Sequence, residues 1–267
     1  MKEYRGYLID LDGTLFCGNR GVEGADRFIA WLQQEKADYL YFTNNSSRTP
    51  AQLASFLQQI GLPAQPSDFF TSSQAAAAYV GEKMPDAKVF LLGEEGLRHA
   101  FRAKGIFLLD EVQWGDTVDF LVTGIDRNVT YHRLTQACWA LQSGARWLAT
   151  NLDRRLPLDK GWAPGNGAIC AALASAAGRE PVVVGKPEPY MIEQALRQMG
   201  LAPSDVLMIG DNLETDMLGA IRLGMDTALV LTGVTSEEQV PEDFGVTYCF
   251  ASVAEIPDFF SASSSHR

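Results

Sequence analysis

Histidine and cysteine are scarce in this sequence, with three and four respectively among 267 residues. Cys17, Cys138, Cys170 and Cys249 lie far apart, without the CxxC or Cys/His spacing of a zinc site, and four cysteines in this length do not make a disulfide scaffold. Buried, reduced thiols are expected. His99, His132 and His266 are isolated, so surface or locally bonded histidines are expected rather than metal ligands. Positive charge is also short: 22 Lys and Arg face 33 Asp and Glu, and a net charge of −11 repels a phosphate backbone, which removes nucleic acid from the expected partners. No apolar run approaches a membrane span, and the opening MKEYRGYLID lacks the apolar centre of a secretion signal. A cytoplasmic protein with no membrane partner is therefore expected, and the sequons at Asn44, Asn45 and Asn128 are read as accidental. The chain has no GxxxxGK[ST] phosphate loop and no internal repeat. What it does have is ordinary for a folded protein, 46% hydrophobic and 21% charged residues, in a length that accommodates two modest domains.

Short β-branched or aromatic runs alternate with helical patterns: YLID, GADRFIAWLQQE, ADYLYFT, then PAQLASFLQQIG, whose Leu53, Phe56, Leu57 and Ile60 follow helical spacing. That order predicts parallel βαβ units. Thr49 and Pro50 read as N-cap and first residue of this last helix, with Gly61 just past its end. The alternation resumes with PVVVG, a helix from about Pro187 to Met199, DVLMIGD, a helix from about Leu213 to Leu223, and DTALVL, so elements of one sheet are expected at both ends of the chain. The middle, 81–180, has its own strand patterns in KVFLLG, VDFLVTG and ARWLAT and is either a continuation of that sheet or an inserted domain. It holds 12 acidic and 12 basic residues, so the whole of the −11 lies outside it, a change of composition that favours insertion. The ending SASSSHR reads as a frayed terminus.

The first strand pattern runs straight into DLDGT and places Asp10 and Asp12 on one side of the chain, where two carboxylates repel. Gly13 supplies a turn at the carboxyl end of a parallel strand, the edge at which open α/β sheets bind ligands. These acids either cap a turn or hold a cation that offsets their repulsion. A second apolar strand runs into GDNLETD, which puts Asp211 and Asp216 at the same expected edge, and hard oxygen ligands without His or Cys suit Mg²⁺. Two further strand ends offer Thr43 and Asn44 in YFTNNS, and Lys186 in VVVGKPEP, which are groups a bound phosphate needs.

DxDGT at 10–14, Thr43, Lys186 and GDxxxxD at 210–216, in that order, resemble the motifs of the haloacid dehalogenase superfamily. TNNSSRTP, PGNGA, GKPEP and GDNLETD are similar to its NagD-like, nitrophenylphosphatase-like subgroup, which carries a large α/β cap between the second and third motifs. The resemblance covers nearly the whole chain. It implies an α/β protein with a Rossmann-like parallel-sheet core, residues 1–80 and 181–267, and an inserted α/β cap domain, residues 81–180. It also implies Mg²⁺-dependent hydrolysis of small phosphate monoesters, sugar phosphates or nucleotides, through an aspartyl-phosphate intermediate. By resemblance Asp10 is the nucleophile, and Asp12 protonates the leaving oxygen and then activates water. Asp10, the Asp12 backbone carbonyl and Asp211 hold Mg²⁺, and Asp216 steadies the metal from behind these ligands. Thr43, Asn44 and Lys186 bind phosphoryl oxygens, and Lys186 also offsets the charge on Asp10. Dehalogenation is disfavoured, because the dehalogenases of the family lack the second acid and need no metal. The implied partner is a small phosphorylated metabolite, since a large cap disfavours protein substrates, and a homodimer formed through the cap is a further implication.

GNGAICAALASAAG at 165–178 imitates a dinucleotide fingerprint, but Cys170 stands where its third glycine belongs, and the stretch is read as an ordinary Ala-rich helix start. A second TN, in LATNLDRRLP, resembles the cap loop that faces the active site in this subgroup. Asp153, Arg154 and Arg155 are thus either substrate contacts or a polar turn. Two other functions stay open: phosphotransfer to an acceptor other than water on the same chemistry, and a metal- and phosphate-ligand-binding protein without turnover.

Overall fold

A computed structural model describes residues 2–157 and 160–264. The chain forms two compact units, one from Met1–Thr43, Ala51–Phe70 and Lys186–Arg267, the other from Asn44–Pro50 and Thr71–Gly185. Both junctions placed at 80/81 and 180/181 from the sequence fall inside stretches that belong to the second unit. Helix Ser72–Lys83 packs on helix Glu95–Ala103, and strand Val182–Val183 pairs with Arg146–Ala149. The PVVVG stretch, expected in the terminal sheet, is therefore an edge strand of the middle one. The short segment 44–50 joins the second unit through hydrogen bonds: the Ile125 N–H donates to Ser46 Oγ at 3.1 Å and the Gly96 N–H to the Ser47 carbonyl at 2.9 Å.

The first unit is built on a six-stranded sheet in the order Tyr248–Phe250, Asp226–Val230, Val206–Gly210, Gly6–Ile9, Asp38–Thr43, Phe69–Thr71. The pairings from Tyr248–Phe250 through Asp38–Thr43 are all parallel. Gly6–Ile9 and Val206–Gly210 are buried along their whole length, the continuous apolar reading of strands covered on both faces. Helix Ala25–Gln34 turns Phe28, Ile29 and Leu32 onto this sheet, where they meet Ile9, Tyr41 and Ile209. Helix Pro50–Gln59 begins at the expected proline, with Gly61 at φ +87° beyond its end. Helix Pro189–Met199 starts two residues later than expected, because the second proline of KPEP, not the first, occupies its first position. Helix Ile256–Ser264 extends into the segment expected to fray, whereas 265–267, including His266, lie outside the described residues.

Ile9 stands opposite Ile209 on one side and Tyr41 on the other, so the residues that follow these three all emerge at one edge. From Gly6–Ile9 the chain first adds strands on one side, then returns to add Val206–Gly210 and its successors on the other. The reversal between Gly6–Ile9 and Val206–Gly210 is the crevice position of an open parallel sheet.

The second unit has its own parallel sheet, in the order Val182–Val183, Arg146–Ala149, Phe120–Thr123, Lys88–Leu92, Phe107–Leu109. Helices Tyr131–Gln142 and Asn166–Ala177 cover it, with Leu121, Leu141, Trp147, Ile169 and Leu173 in its core. Cys170 is buried here as expected, but Cys17 and Cys249 are exposed; all four thiols are free. Each exposed thiol sits on a peripheral strand rather than in a core, Cys17 in the two-residue strand Phe16–Cys17 and Cys249 in the edge strand.

Ile209 has no solvent exposure and belongs to the first unit's core. Ile209→Ala is expected to lower the stability of the protein by about 2–5 kcal/mol in denaturant titration, with the slope unchanged.

Candidate active site

Asp10 follows the central strand directly, and its N–H still pairs with the Ile209 carbonyl at 2.9 Å, so its position is fixed by the sheet. On the neighbouring strand, Gly210 is followed by Asp211, and five residues further on Asp216 returns to the same place. The Asn212 side chain directs that return: its oxygen accepts from the N–H groups of Glu214 at 2.9 Å and Thr215 at 3.3 Å, capping a wide π-helical turn, Leu213–Met217. The expected single helix from Leu213 is thus a π turn followed by a short α-helix, Leu218–Arg222. Inside the turn the Asp216 carboxylate faces back and accepts the Asn212 N–H at 3.1 Å.

Carboxylate oxygens of Asp10, Asp211 and Asp216 lie within 4.8 Å of one another. The Lys186 ammonium donates to Asp10 at 2.5 Å, to Asp216 at 2.7 Å and to the Phe42 carbonyl at 3.2 Å. All four side chains are buried. Three carboxylates and one ammonium in so dry a place leave excess negative charge, which shows in the proton affinities of Asp10, Asp211 and Lys186. Burial raises Asp10 well above the usual carboxylate range, Asp216 and Asp211 add to the rise, and Lys186 opposes it. Burial and the Asp216 charge push Asp211 up to about 6, against the Val234 N–H that donates to it at 2.6 Å. Burial alone would lower Lys186, but Asp10 and Asp216 outweigh it and keep the ammonium charged.

The backbone closes around Asp211 from two sides. A Cβ on Gly13 or on Gly233 would strike the Asp211 carboxylate, and one on Gly210 would strike Asp216. Gly13 also needs its positive φ of +87° for the turn. Thr232 Oγ1 donates to the Gly13 carbonyl at 2.6 Å, tying the loop after strand Asp226–Val230 to the DxDG turn. This loop, Thr232 to Thr235, was missed in the sequence; its signal was the TG that follows DTALVL at another strand end. The site fits a hard divalent cation: its donors are carboxylate oxygens, their charge is under-compensated, and glycines leave room beside them.

The structure brings Asp10, Lys186, Asp211 and Asp216 together. Asp12 is not in that cluster: it lies in the turn beyond the strand end at Ile9 and is exposed, with desolvation raising its proton affinity and a Gly18 hydrogen bond opposing. Thr43 is buried at the end of strand Asp38–Thr43, next to the Phe42 carbonyl that Lys186 holds. Asn44 falls in the second unit, where its carbonyl accepts from Ser72 Oγ at 2.8 Å and Asn151 Nδ2 at 3.0 Å. Asp153, Arg154 and Arg155 also lie in that unit, in a loop entering the hairpin strand Arg155–Pro157, with Arg155 over the Trp162 ring at 4.8 Å. His99 and His132 sit on helices outside the carboxylate cluster.

Such a carboxylate cluster at the reversal of a parallel sheet matches a known class. Residues 7–107 match the haloacid dehalogenase-like hydrolase family and residues 183–256 a HAD-hydrolase-like family. The chain belongs to the haloacid dehalogenase-like hydrolases and is a phosphatase of that family. It is 43% identical over 243 residues to the 5'-nucleotidase YutF of Bacillus subtilis, covering 91% of this chain and 93% of that protein. It is 40% identical to the acid sugar phosphatase of Staphylococcus saprophyticus, covering 96% and 98%. A glycerol phosphate phosphatase of Mycobacterium tuberculosis, solved in complex with magnesium, superposes with a TM-score of 0.87 at 35% identity, over 94% of this chain and 75% of that one.

The raised carboxylates define a pH dependence. Folded Asp211 binds a proton that the unfolded chain releases between the usual carboxylate range, about 4, and about 6, so its contribution to stability falls as pH rises through that window, and the raised Asp10 acts in the same direction. A cation that competes with those protons restores it. The rise in melting temperature on adding a divalent cation to chelator-treated protein is therefore expected to be larger near pH 7.5 than near pH 5, as calorimetry will show. In chelator at neutral pH, Asp211→Asn is expected to be more stable than wild type by about 1–3 kcal/mol.

Proposed function

We propose that this protein hydrolyses small phosphate monoesters, sugar phosphates or nucleotides, in a Mg²⁺-dependent reaction that passes through a phosphorylated Asp10. The observation that carries this reading is the buried contact between Asp10 and Lys186 at the reversal point of the sheet, beside Asp211 and Asp216. Burial favours a proton on Asp10, the Lys186 ammonium opposes it, and a bound cation would add to that opposition and leave Asp10 available as an oxygen nucleophile. Its substrate range is supported by the relatives, one named for nucleotides and one for acid sugar phosphates, and the choice of metal by a neighbour solved with magnesium.

In the proposed reaction Asp10 Oδ attacks phosphorus as the bond to the ester oxygen breaks, and Asp12 gives that oxygen its proton. Asp12, now a carboxylate, takes a proton from water; the water oxygen attacks phosphorus, the bond to Asp10 breaks, and inorganic phosphate leaves. The exposure of Asp12 suits a group that must meet both a leaving alcohol and water, and the desolvation that raises it favours the proton it must carry at the outset. Lys186, Thr43 and Asn44 are the proposed holders of the phosphoryl oxygens. Mg²⁺, held by Asp10, the Asp12 carbonyl and Asp211, would supply positive charge against the phosphoryl oxygens. Asp216 would act indirectly, through its contacts to Lys186 and the Asn212 N–H.

Phosphate release from a panel of small esters, with Mg²⁺ and with excess chelator, tests the reading. Release is expected only with metal, and Asp10→Asn is expected to lower it by more than about 10³-fold without loss of fold. Asp12→Asn is expected to lower steady turnover by about 10²–10⁴-fold. With nitrophenyl phosphate, whose leaving group needs no proton, this variant should still show a burst of one nitrophenol per site. Metal-independent release, or an Asp10→Asn enzyme with wild-type activity, would refute the assignment.

A further inference from the structure

The GNG of 165–167 remains unexplained by the chemistry above, although its glycines are as demanding as those around Asp211. A Cβ on Gly165 would strike the Asp153 carbonyl, and one on Gly167 the Leu152 carbonyl. Both glycines are there because the loop 151–155 lies directly on the start of helix Asn166–Ala177. Two backbone hydrogen bonds hold it there: the Gly165 N–H donates to the Arg154 carbonyl at 3.0 Å and the Gly167 N–H to the Asp153 carbonyl at 2.9 Å.

Between these glycines sits Asn166, 1% exposed, whose Nδ2 donates to the Asn151 carbonyl at 2.7 Å and to the Thr123 carbonyl at 3.2 Å. Thr123 ends a central strand of this sheet, so Asn166 ties the loop to the rigid part of its unit. The Asn151 side chain continues the chain of bonds. Its oxygen accepts the Asp153 N–H at 3.2 Å, and its Nδ2 donates to the Asn44 carbonyl at 3.0 Å. The Asn166 oxygen is buried and has no hydrogen-bond partner among the described residues. An amide that leaves one buried polar atom unsatisfied is a poor choice for stability alone. What it does achieve is a fixed relation between the loop 151–155, the strand end at Thr123 and the backbone of Asn44.

We propose that Asn166 is a positioning residue for substrate selection: with Asn151 it holds Asp153, Arg154 and Arg155 in register with Asn44, and so sets which leaving groups the enzyme accepts. This rests on the functional reading above, in which Asn44 meets the phosphoryl group, and on the first of the two readings of Asp153, Arg154 and Arg155, as substrate contacts. Asn166→Asp keeps the shape but removes both donated hydrogen bonds and puts an acceptor against two carbonyls.

The test compares wild type and Asn166→Asp, with Mg²⁺, on nitrophenyl phosphate and on the sugar phosphate or 5'-mononucleotide that wild type uses best. The expected result is a fall of about tenfold or more in the ratio of kcat/KM values, carried by a higher KM for the natural-type ester, while kcat on nitrophenyl phosphate stays within about threefold. In an Arg154→Ala background the same substitution should change the ratio little, since both act through one loop. Equal losses on both esters, an unchanged ratio, or a full additional loss in the Arg154→Ala background overturns the proposal. If circular dichroism shows that Asn166→Asp does not fold, Asn151→Ala, which cuts the tie to Asn44 and leaves Asn166 in place, is held to the same ratio. Wild-type protein that hydrolyses no ester at all overturns the functional reading, and this inference with it.

Discussion

Three carboxylates cannot be buried within 4.8 Å of one another unless something compensates them, and in this protein Lys186 does so by contacting two of the three. That contact needs partners from distant parts of the sequence at one point: Asp10 from the end of strand Gly6–Ile9, Asp216 from the turn after strand Val206–Gly210, and Lys186 from the return of the chain after the second unit. Parallel strands in common register deliver them. With Ile9 level with Ile209 and Tyr41, the carboxyl ends of three strands converge, and the reversal of strand order leaves a crevice between two of them.

Compensation is only partial, and the site is organised around the remainder. The excess negative charge raises the proton affinity of Asp10 and Asp211, and the same excess makes the cluster a receptor for a hard divalent cation. Glycines at 13, 210 and 233 keep side-chain bulk away from the two carboxylates beyond Asp10, and the Val234 N–H holds Asp211 in place. These features form an apparatus of backbone, in which strand ends, a π turn and one loop hold acids that would otherwise separate.

Most of the fold was legible because it is written in local pattern: apolar runs marked the buried strands, and Pro50 and Gly61 marked the limits of a helix. The acids at strand ends were legible for the same reason, since a carboxylate at the end of an apolar run stands out. What failed depended on pairing rather than pattern. PVVVG looks like any buried strand, and only its partner, Arg146–Ala149, shows that it belongs to the second sheet. Asn44 follows Thr43 in sequence, yet its carbonyl bonds to Ser72 and Asn151 group it with the second unit. Alternation along a strand was the ground for pairing Asp12 with Asp10, but the strand ends at Ile9, before either, and Asp12 is exposed where Asp10 is buried. The GNG at 165–167 imitated a nucleotide fingerprint because close backbone approach requires glycine whatever the approaching backbone belongs to.

The proposed reaction passes through a phosphorylated Asp10, and the direct test is to find the phosphoryl group there. Wild-type protein is mixed with a good ester substrate and Mg²⁺, quenched rapidly, treated with borohydride to reduce any acyl phosphate, and digested for peptide mass spectrometry. Homoserine at position 10, absent without substrate and without metal, is the predicted result. Rapid phosphate release with no modification at Asp10, or with modification at a different side chain, would contradict the account.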